Sequence, residues 1–342
     1  MQIKYSKSLL DISKEGGQRN LDDQLGAAKQ KQIMKSLLTR PLRKFCILCG
    51  IDINGDEFLH RGITFIRCNN CDHIQTKVEP PGQYPYTANN AVSFADSYPK
   101  LTKGEYEDRK NRIYRPKLDW IVSCLSEIGS SHEQIRKMRW VDIGCGAGYF
   151  LSSLKEFGIS DFVGYDLDDV LIKNAREALG SKEVCEKGGI EETIQQEQAD
   201  IYTAFFILEH IPNLHEIWQL FKKLKAGTYI AFSVPVFGFT QIWEHIFQNN
   251  MARNLNCVSH TQNFTDDSIK YAMDLSDMDV VAEWVFGQDI ADLYNFFDLN
   301  YNNNEKWKAR IKNDFIKIID ELQNVLDRNR MSDQRHVLAR KR

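Results

Sequence analysis

VDIGCGAGYF, residues 141–150, is the stretch that decides the fold of this chain. Val141 and Ile143 have the apolar character of a buried parallel strand, and the strand breaks into a glycine-rich turn, GCGAG, at 144–148. Glycines let the chain turn sharply and leave the backbone uncovered where a ligand approaches closely. Apolar residues at helical spacing follow from Tyr149 to Phe157. The turn therefore lies between a strand and a helix N-terminus, whose free N–H groups face the ligand.

A second predicted strand, Phe162 to Asp166, ends in a carboxylate 22 residues beyond Gly144. Doubly wound nucleotide-binding folds place an acid at this position to accept hydrogen bonds from ribose hydroxyls. Asp168 and Asp169 are alternatives, but they better suit the N-cap of the helix that follows. A dinucleotide-binding fold satisfies the same geometry. The turn, however, is not G-x-G-x-x-G, and no separate pyrophosphate-binding pattern is present.

Three stretches together resemble class I S-adenosylmethionine-dependent methyltransferases. Residues 141–148 are similar to the family's first motif, (V/L)-D-(I/V)-G-C-G-x-G, and residues 200–213, DIYTAFFILEHIPN, to its fourth strand and the following turn. Residues 231–235, AFSVP, are similar to its fifth strand. The resemblance covers about 105–290 in the correct order. It implies an α/β fold with a doubly wound, Rossmann-like, seven-stranded sheet.

The same resemblance implies S-adenosyl-L-methionine as cofactor. Cys145, between two glycines, is expected to be a small residue rather than a catalytic thiol. The expected cofactor-binding residues are Asp142, Gly144, Cys145, Gly146, Tyr149, Asp166, Leu167, Gly189, Ile190 and Phe206.

Upstream, four cysteines form a C-x2-C-x18-C-x2-C pattern, which is typical of a four-thiolate zinc site. They are Cys46, Cys49, Cys68 and Cys71. Strand-like residues between the pairs, Glu57 to Arg67, predict a two-knuckle zinc ribbon. So short a segment buries little apolar surface, and a metal ion is expected to supply the missing stabilisation. Four thiolates leave zinc no open position for water or substrate, so the site is expected to be structural and to form one wall of the acceptor pocket.

The alternative is four unrelated or disulfide-bonded cysteines. The first residues lack the apolar core of a secretory signal, which disfavours disulfides and predicts a cytoplasmic location. His60 and His73 are expected at the surface rather than as ligands. Cys124, Cys185 and Cys257 are expected to be scattered free thiols.

Charge is distributed unevenly along the 342 residues. The net charge of −3 combines +6 over residues 1–44, +5 over 301–342 and −14 between them. An acidic centre is a poor surface for a polyanion, which argues against the main alternative, an RNA methyltransferase that grips nucleic acid with its ribbon. The longest apolar stretch, Thr228 to Phe239, is interrupted by polar residues, proline and glycine, so no membrane span is predicted.

The predicted organisation is an N-terminal helical segment (1–44), the ribbon (45–80), a linker (81–104), the methyltransferase core (105–290) and a helical extension (291–342). Tyrosines 84, 86 and 98 in the linker either cover the cofactor or acceptor or serve ordinary packing. The run HVLA at 336–339 is predicted to be the seventh, antiparallel strand. The helices before it, Ile290–Phe297 and Glu305–Arg328, would then cap the acceptor pocket or build a dimer face.

Methyl transfer to an oxygen needs positioning and a base near the carboxyl ends of the strands. The candidate catalytic residues are Glu209 and His210, just past the fourth strand, and His260. His210 is the first choice because imidazole titrates near neutral pH. The alternative role for His210 is to cap the turn before Pro212.

The ribbon, core and C-terminal extension together resemble bacterial methyltransferases of deoxysugar and surface-polysaccharide pathways, including nucleotide-sugar C-methyltransferases. That group has a catalytic His after strand four, which Leu208–Ile211 match in part, and a downstream Tyr-x-Glu-His, of which Cys257–His260 keep only the histidine. The missing Tyr and Glu favour oxygen methylation of a sugar or glycan-linked small molecule over carbon methylation. Intact Gly144, Gly146 and Asp166 disfavour a binding protein with a degenerate core.

Overall fold

A computed structural model describes residues 1–8, 35–79, 102–181, 184–246, 254–255, 260–300 and 305–342. Its described strands form one eight-stranded and one four-stranded sheet. In chain order the strands are β1 (Gln2–Tyr5), β2 (Gly55–His60), β3 (Ile63–Cys68), β4 (Ile74–Thr76), β5 (Trp140–Ile143), β6 (Phe162–Asp166), β7 (Cys185–Lys187), β8 (Ile201–Phe205), β9 (Tyr229–Pro235), β10 (Gln262–Asn263), β11 (Met278–Phe286) and β12 (Gln334–Lys341).

Helices cover the large sheet and extend beyond it. A π-helical turn (Lys110–Tyr114) joins the first two helices, and a turn of 3-10 helix (Leu208–His210) follows β8. The helices are α1 (Lys103–Arg109), α2 (Arg115–Glu127), α3 (His132–Lys137), α4 (Tyr149–Phe157), α5 (Asp169–Leu179), α6 (Ile190–Gln196), α7 (Leu214–Lys222), α8 (Thr240–Ile246), α9 (Asp266–Leu275), α10 (Asp289–Asn300), α11 (Glu305–Phe315) and α12 (Ile319–Arg328).

The large sheet has the order β1-β11-β12-β9-β8-β5-β6-β7. Strands β5 to β9 run parallel, and all four residues of β5 are buried, as expected for a strand covered on both faces. Strand β5 pairs with β6 on one side and β8 on the other, so the connections reverse direction here. In open α/β sheets the ligand crevice lies at the carboxyl ends of the strands at such a reversal.

The predicted final strand is confirmed. Strand β12 runs antiparallel between β9 and β11, and Val337, Leu338 and Ala339 at its centre are fully buried. The predicted seven-stranded, doubly wound sheet is therefore complete.

An eighth strand, which the prediction did not include, completes one edge of this sheet. Strand β1 pairs parallel with β11, with Ile3 opposite Glu283. The chain thus begins its described part with a strand, although a helical segment was predicted over 1–44. Residues 9–34, which hold most of the predicted helix, lie outside the described residues, and so do 80–101, with the three linker tyrosines.

The C-terminal extension is helical, as predicted, but the single helix expected over Glu305–Arg328 is two helices, broken between Phe315 and Ile319. The buried face of α12 carries apolar residues, Ile319 and Leu326, and a polar group of side chains. The Gln323 side-chain amide donates to Asp289 and Asp327 (3.0 and 2.9 Å), and all three side chains are buried. The apolar residues Leu322 and Val325 lie on other faces of α12 and are 37% and 56% exposed.

Strands β2, β3 and β4 form an antiparallel sheet in the predicted ribbon. The fourth strand of this sheet is β10, which comes from the core almost two hundred residues later and pairs with β4. Among the described residues, no helix is long and apolar enough to cross a membrane.

Candidate functional site

The glycine-rich turn is held by β6 and shaped by two glycines. The N–H groups of Gly144 and Cys145 both donate to the carbonyl of Tyr165 (2.7 and 3.0 Å). Gly144 has φ +73°, and a Cβ there would lie 2.1 Å from Cδ1 of Ile207, in the loop after β8. Gly146 has φ +52°, and a Cβ there would meet no atom within 4 Å. The turn is therefore packed on one side and open on the other, which fits a bound ligand.

Asp166 ends β6 beside this turn. Its Oδ2 accepts a hydrogen bond from Gly146 N (2.8 Å) and its Oδ1 accepts one from Asp168 N (2.9 Å). Burial raises the pKa of Asp166 above its ordinary value, although these N–H groups act in the opposite direction. Asp168 caps α5, as predicted, by accepting from Val170 N and Leu171 N. Asp166 therefore lies against the glycine-rich turn, at the carboxyl end of β6.

Three other expected cofactor residues lie near Asp166. The N–H of Gly188 donates to the Asp166 carbonyl (3.0 Å), and Gly189 forms the N-cap of α6. A Cβ on Gly189 would lie 3.9 Å from Leu167 Cδ2. Leu167, Gly189 and buried Ile190 thus lie together at the carboxyl ends of β6 and β7.

Three tyrosines cover the start of α4. The rings of Tyr106 and Tyr114 lie on either side of Tyr149, with ring centroids 4.5 and 5.1 Å from it. The Tyr106 hydroxyl also donates to the carbonyl of Ala147 in the turn (3.3 Å). Sequence reasoning missed Tyr106 and Tyr114. Tyr114 is the last residue of the π-helical turn, which adds a residue to the helical repeat, so an α-helical pattern misplaces it relative to Tyr106.

Cys145 is in contact with a second thiol. Its Sγ lies 2.9 Å from Sγ of Cys185 in β7, and both side chains are buried. A Cβ on Gly164 would lie 2.8 Å from the same sulfur, so the space for Cys145 is closed on two sides. Burial raises the pKa of the Cys145 thiol, as expected for a packing residue. Cys185 is a free thiol, as predicted, but it is not isolated, because it contacts Cys145.

Two buried ionisable side chains, Asp142 and Lys117, lie close to the site. Thr203 donates to Asp142 Oδ1 (2.5 Å), and burial raises the pKa of Asp142 to about 7. The Lys117 ammonium, which sequence reasoning missed, lies 4.6 Å from the ring centroid of Phe205 and 5.0 Å from that of Phe206. Phe206 has φ +59°, uncommon for an aromatic residue, at the point where the chain leaves β8.

The three candidate catalytic residues come together. Glu209 and His210 lie in the 3-10 turn after β8, and His260 precedes β10. One carboxylate oxygen of Glu209 and one ring nitrogen each of His210 and His260 lie within 4.8 Å of one another. The ring centroids of the two histidines are 4.9 Å apart. Glu209 is 1% exposed, and burial raises its pKa to about 8. We call these three residues the Glu-His-His cluster.

Gln262 connects this cluster to the ribbon. Its Nε2 donates to the carbonyls of Leu208 (3.2 Å) and Ile211 (2.7 Å), on either side of Glu209 and His210. Its Oε1 is 2.8 Å from Nε2 of His73 in the ribbon. His73 was expected at the surface but is fully buried, because it makes this contact and lies against Phe264.

The four ribbon cysteines form a compact buried group. Cys46 Sγ is 3.5 Å from Cys71 Sγ, Cys49 Sγ is 3.8 Å from Cys68 Sγ, and all four sulfurs lie within 4.8 Å of one another. Tetrahedral zinc with Zn–S bonds of about 2.3 Å places its sulfurs about 3.8 Å apart. The cluster therefore fits a zinc ribbon.

Both cysteine knuckles turn in the same way, because Gly50 N donates to the Cys46 carbonyl and Asp72 N to the Cys68 carbonyl. His60, expected at the surface, is also buried, and it lies against Phe65 and His245.

Residues 114–283 match the sequence profile of a family described as "Methyltransferase domain". A search of curated proteins gave no significant match. One similar structure is the magnesium protoporphyrin IX methyltransferase of Synechocystis PCC 6803 with bound S-adenosylhomocysteine. It is 11% identical, with a TM-score of 0.43, over 69% of this chain and 87% of that chain. A methyltransferase from Archaeoglobus fulgidus is 19% identical, with a TM-score of 0.37, over 64% and 97%.

The sheet order, the glycine-rich turn and the profile match agree with one another. The match begins at the end of the π-helical turn and ends within β11, so it spans the strands that form the ligand crevice. The chain carries a methyltransferase domain over residues 114–283 and is an S-adenosylmethionine-dependent methyltransferase.

Proposed function

We propose that this enzyme methylates a hydroxyl group of a small molecule, a sugar or a glycan-linked compound. The observation that carries the proposal is the Glu-His-His cluster at the carboxyl end of β8. Ile207, which lies against Gly144 of the cofactor turn, is only two residues from Glu209. The groups that would activate an acceptor therefore lie directly beside the groups that would hold the cofactor.

The bound cofactor supplies a methyl group on a positively charged sulfur, which an acceptor oxygen attacks in line with the departing sulfur. A sugar hydroxyl is a weak nucleophile until its proton is removed. In this proposal Gly144, Gly146 and Asp166 hold the nucleoside, and His210 is the candidate base that takes the proton.

The net charge of the central part of the chain argues against a polyanionic acceptor, and the acceptor class can be tested directly. The central 256 residues carry a net charge of −14, which suits a neutral acceptor better than a polyanion. The enzyme should be incubated with labelled S-adenosylmethionine and, separately, nucleotide sugars, glycans and total RNA. Label in a sugar fraction, with an O-methyl ether in the NMR spectrum, is the expected result. Label in RNA would instead support an RNA methyltransferase. A C-methyl product would instead support a nucleotide-sugar C-methyltransferase.

The change His210→Gln is expected to lower turnover by about 10²–10⁴, because the acceptor loses its base. The affinity for S-adenosylhomocysteine, measured by calorimetry, should stay within about twofold, since His210 lies outside the glycine-rich turn. His132→Ala, which alters an exposed histidine on α3, is the matched control. Near-normal turnover of H210Q would remove His210 from the chemistry.

The change Asp166→Ala is expected to weaken S-adenosylhomocysteine binding by about 10–100-fold, since hydrogen bonds to a charged group contribute about 1.5–3 kcal/mol. The same change removes the acceptor of Gly146 N. Asp169→Ala is the control, because that exposed carboxylate pairs with Lys187 instead. Isothermal titration calorimetry gives both affinities, and equal values for the two variants would contradict the assignment.

Three further features complete the proposal. The ribbon cysteines bind one structural Zn²⁺, which offers no open position to a substrate. The exposed apolar residues of α11 and α12 are the candidate surface for an oligomer. The predicted location is the cytoplasm.

A further inference from the structure

The carboxyl group of Glu209 is buried where its negative charge would be compensated only in part. The side chain is 1% exposed, and within the described ranges its Oε2 has no hydrogen-bond partner. An isolated buried carboxylate is strongly unfavourable unless it is protonated, paired or bound to a cation. Lys117 lowers the cost through its positive charge, but burial has the larger effect. Glu209 therefore lies where an additional positive charge would stabilise the protein.

The groups beside Glu209 are the ligands that a transition-metal ion uses. His210 and His260 each present a ring nitrogen within 4.8 Å of the Glu209 carboxylate oxygen and of each other. Metal–ligand bonds of about 2.0–2.2 Å separate neighbouring ligand atoms by roughly 3 Å. Small side-chain rotations would bring the three atoms to that spacing.

We propose that Glu209, His210 and His260 form a binding site for one divalent first-row transition-metal ion, separate from the zinc ribbon. Two imidazoles and one carboxylate select such ions over Mg²⁺ or Ca²⁺, which prefer all-oxygen sites. Three protein ligands leave coordination positions open, as catalytic metal sites require, whereas the four thiolates of the ribbon leave none.

The ligands are held from two sides. Glu209 and His210 lie in the turn that Gln262 fixes through the carbonyls of Leu208 and Ile211. His260 is two residues before Gln262, on the segment that pairs with the ribbon strand β4. Preorganised supports of this kind raise metal affinity, because less order is lost when the ion binds.

This inference rests on the proposed function and changes one part of it. With an ion bound, the ring nitrogen of His210 is a ligand and no longer a base. Glu209, His210 and His260 would hold the ion, which would lower the pKa of a coordinated acceptor hydroxyl so that its proton could pass to solvent water. The oxygen would then form a bond to the methyl carbon as the carbon–sulfur bond breaks and its electron pair stays on sulfur.

Manganese binding to the full-length chain tests the site without cofactor or acceptor. The protein is treated with a chelator and given one equivalent of Zn²⁺, which the soft ribbon thiolates take first. Mn²⁺ is then titrated, and the free ion is measured by electron paramagnetic resonance. We expect one Mn²⁺ per chain, and at least tenfold weaker binding in each of the variants Glu209→Gln, His210→Ala and His260→Ala.

His132→Ala is the control and should bind Mn²⁺ like the unchanged protein. Each variant must retain its circular dichroism spectrum and its affinity for S-adenosylhomocysteine, and the isosteric Glu209→Gln decides the result if a histidine variant misfolds. No bound Mn²⁺, or equal binding in all variants, would overturn the metal site. If Mn²⁺ binds normally but no sugar or glycan in the methyl-transfer assay becomes labelled, the proposed acceptor is overturned and the metal site is retained.

Discussion

A chain that ends at Met331 is expected to fail to fold, because it lacks the strand that joins two parts of the large sheet. Strand β12 is paired along its length with β9 on one side and β11 on the other. Burial of Val337 and Leu338 alone contributes about 1.5–3 kcal/mol each, and the paired backbone groups on both neighbours would also be exposed. The sum is comparable with the whole stability of a domain, about 5–15 kcal/mol.

Soluble yield and thermal unfolding by circular dichroism measure this effect. A chain that ends at Lys341 is the control, because it keeps the whole of β12 and loses only Arg342, whose exposed side chain pairs with Asp279 and Asp274. Exposed pairs contribute about 0–1 kcal/mol, so this control should behave like the full chain. A soluble, cooperatively folded product ending at Met331 would show that β12 is dispensable for the sheet.

Loss of the ribbon metal is expected to abolish methyl transfer while cofactor binding persists. Structural zinc contributes about 10–16 kcal/mol to the folding of small zinc domains, so Cys68→Ser should unfold the ribbon. The unfolded ribbon releases β10, and with it His260 and the Gln262 contacts that hold the turn after β8. The glycine-rich turn is fixed by β6 instead, so S-adenosylhomocysteine should still bind.

Metal analysis, calorimetry and turnover together test this separation. Cys124→Ser alters a buried cysteine of α2 outside the ribbon and serves as the control. We expect C68S to contain one zinc fewer than C124S and to lose at least 100-fold in turnover, with cofactor affinity within about threefold. Equal turnover of the two variants would show that the ribbon does not support the site.

The core of this fold could be predicted from sequence because its signals are local. The turn at 144–148 needs glycine for its conformation, and Asp166 ends a strand whose apolar residues are evident. The final strand could be predicted because HVLA is apolar and the methyltransferase fold that the sequence resembles ends its sheet with an antiparallel strand. The ribbon cysteines are recognisable by spacing alone, since the chemistry of the ion fixes it.

The remainder depends on contacts between segments that are distant in sequence. Nothing in the residues around Ile3 shows that an edge of the sheet is free beside β11. His73 is polar and was placed at the surface, but its partner, Gln262, is 189 residues away. The buried face of α12 combines apolar Ile319 and Leu326 with Gln323, whose carboxylate partners a hydrophobic pattern does not reveal.

Because the last strand of its small sheet is donated by the core, the cysteine-rich segment is not a transferable module. A chimera that received residues 35–79 alone would present β4 with unsatisfied backbone donors and acceptors on its outer edge. Any exchange of this region between related enzymes should carry residues 260–264 with it as a single unit. Substrate preference in engineered hybrids should then follow the paired segments together rather than either one by itself.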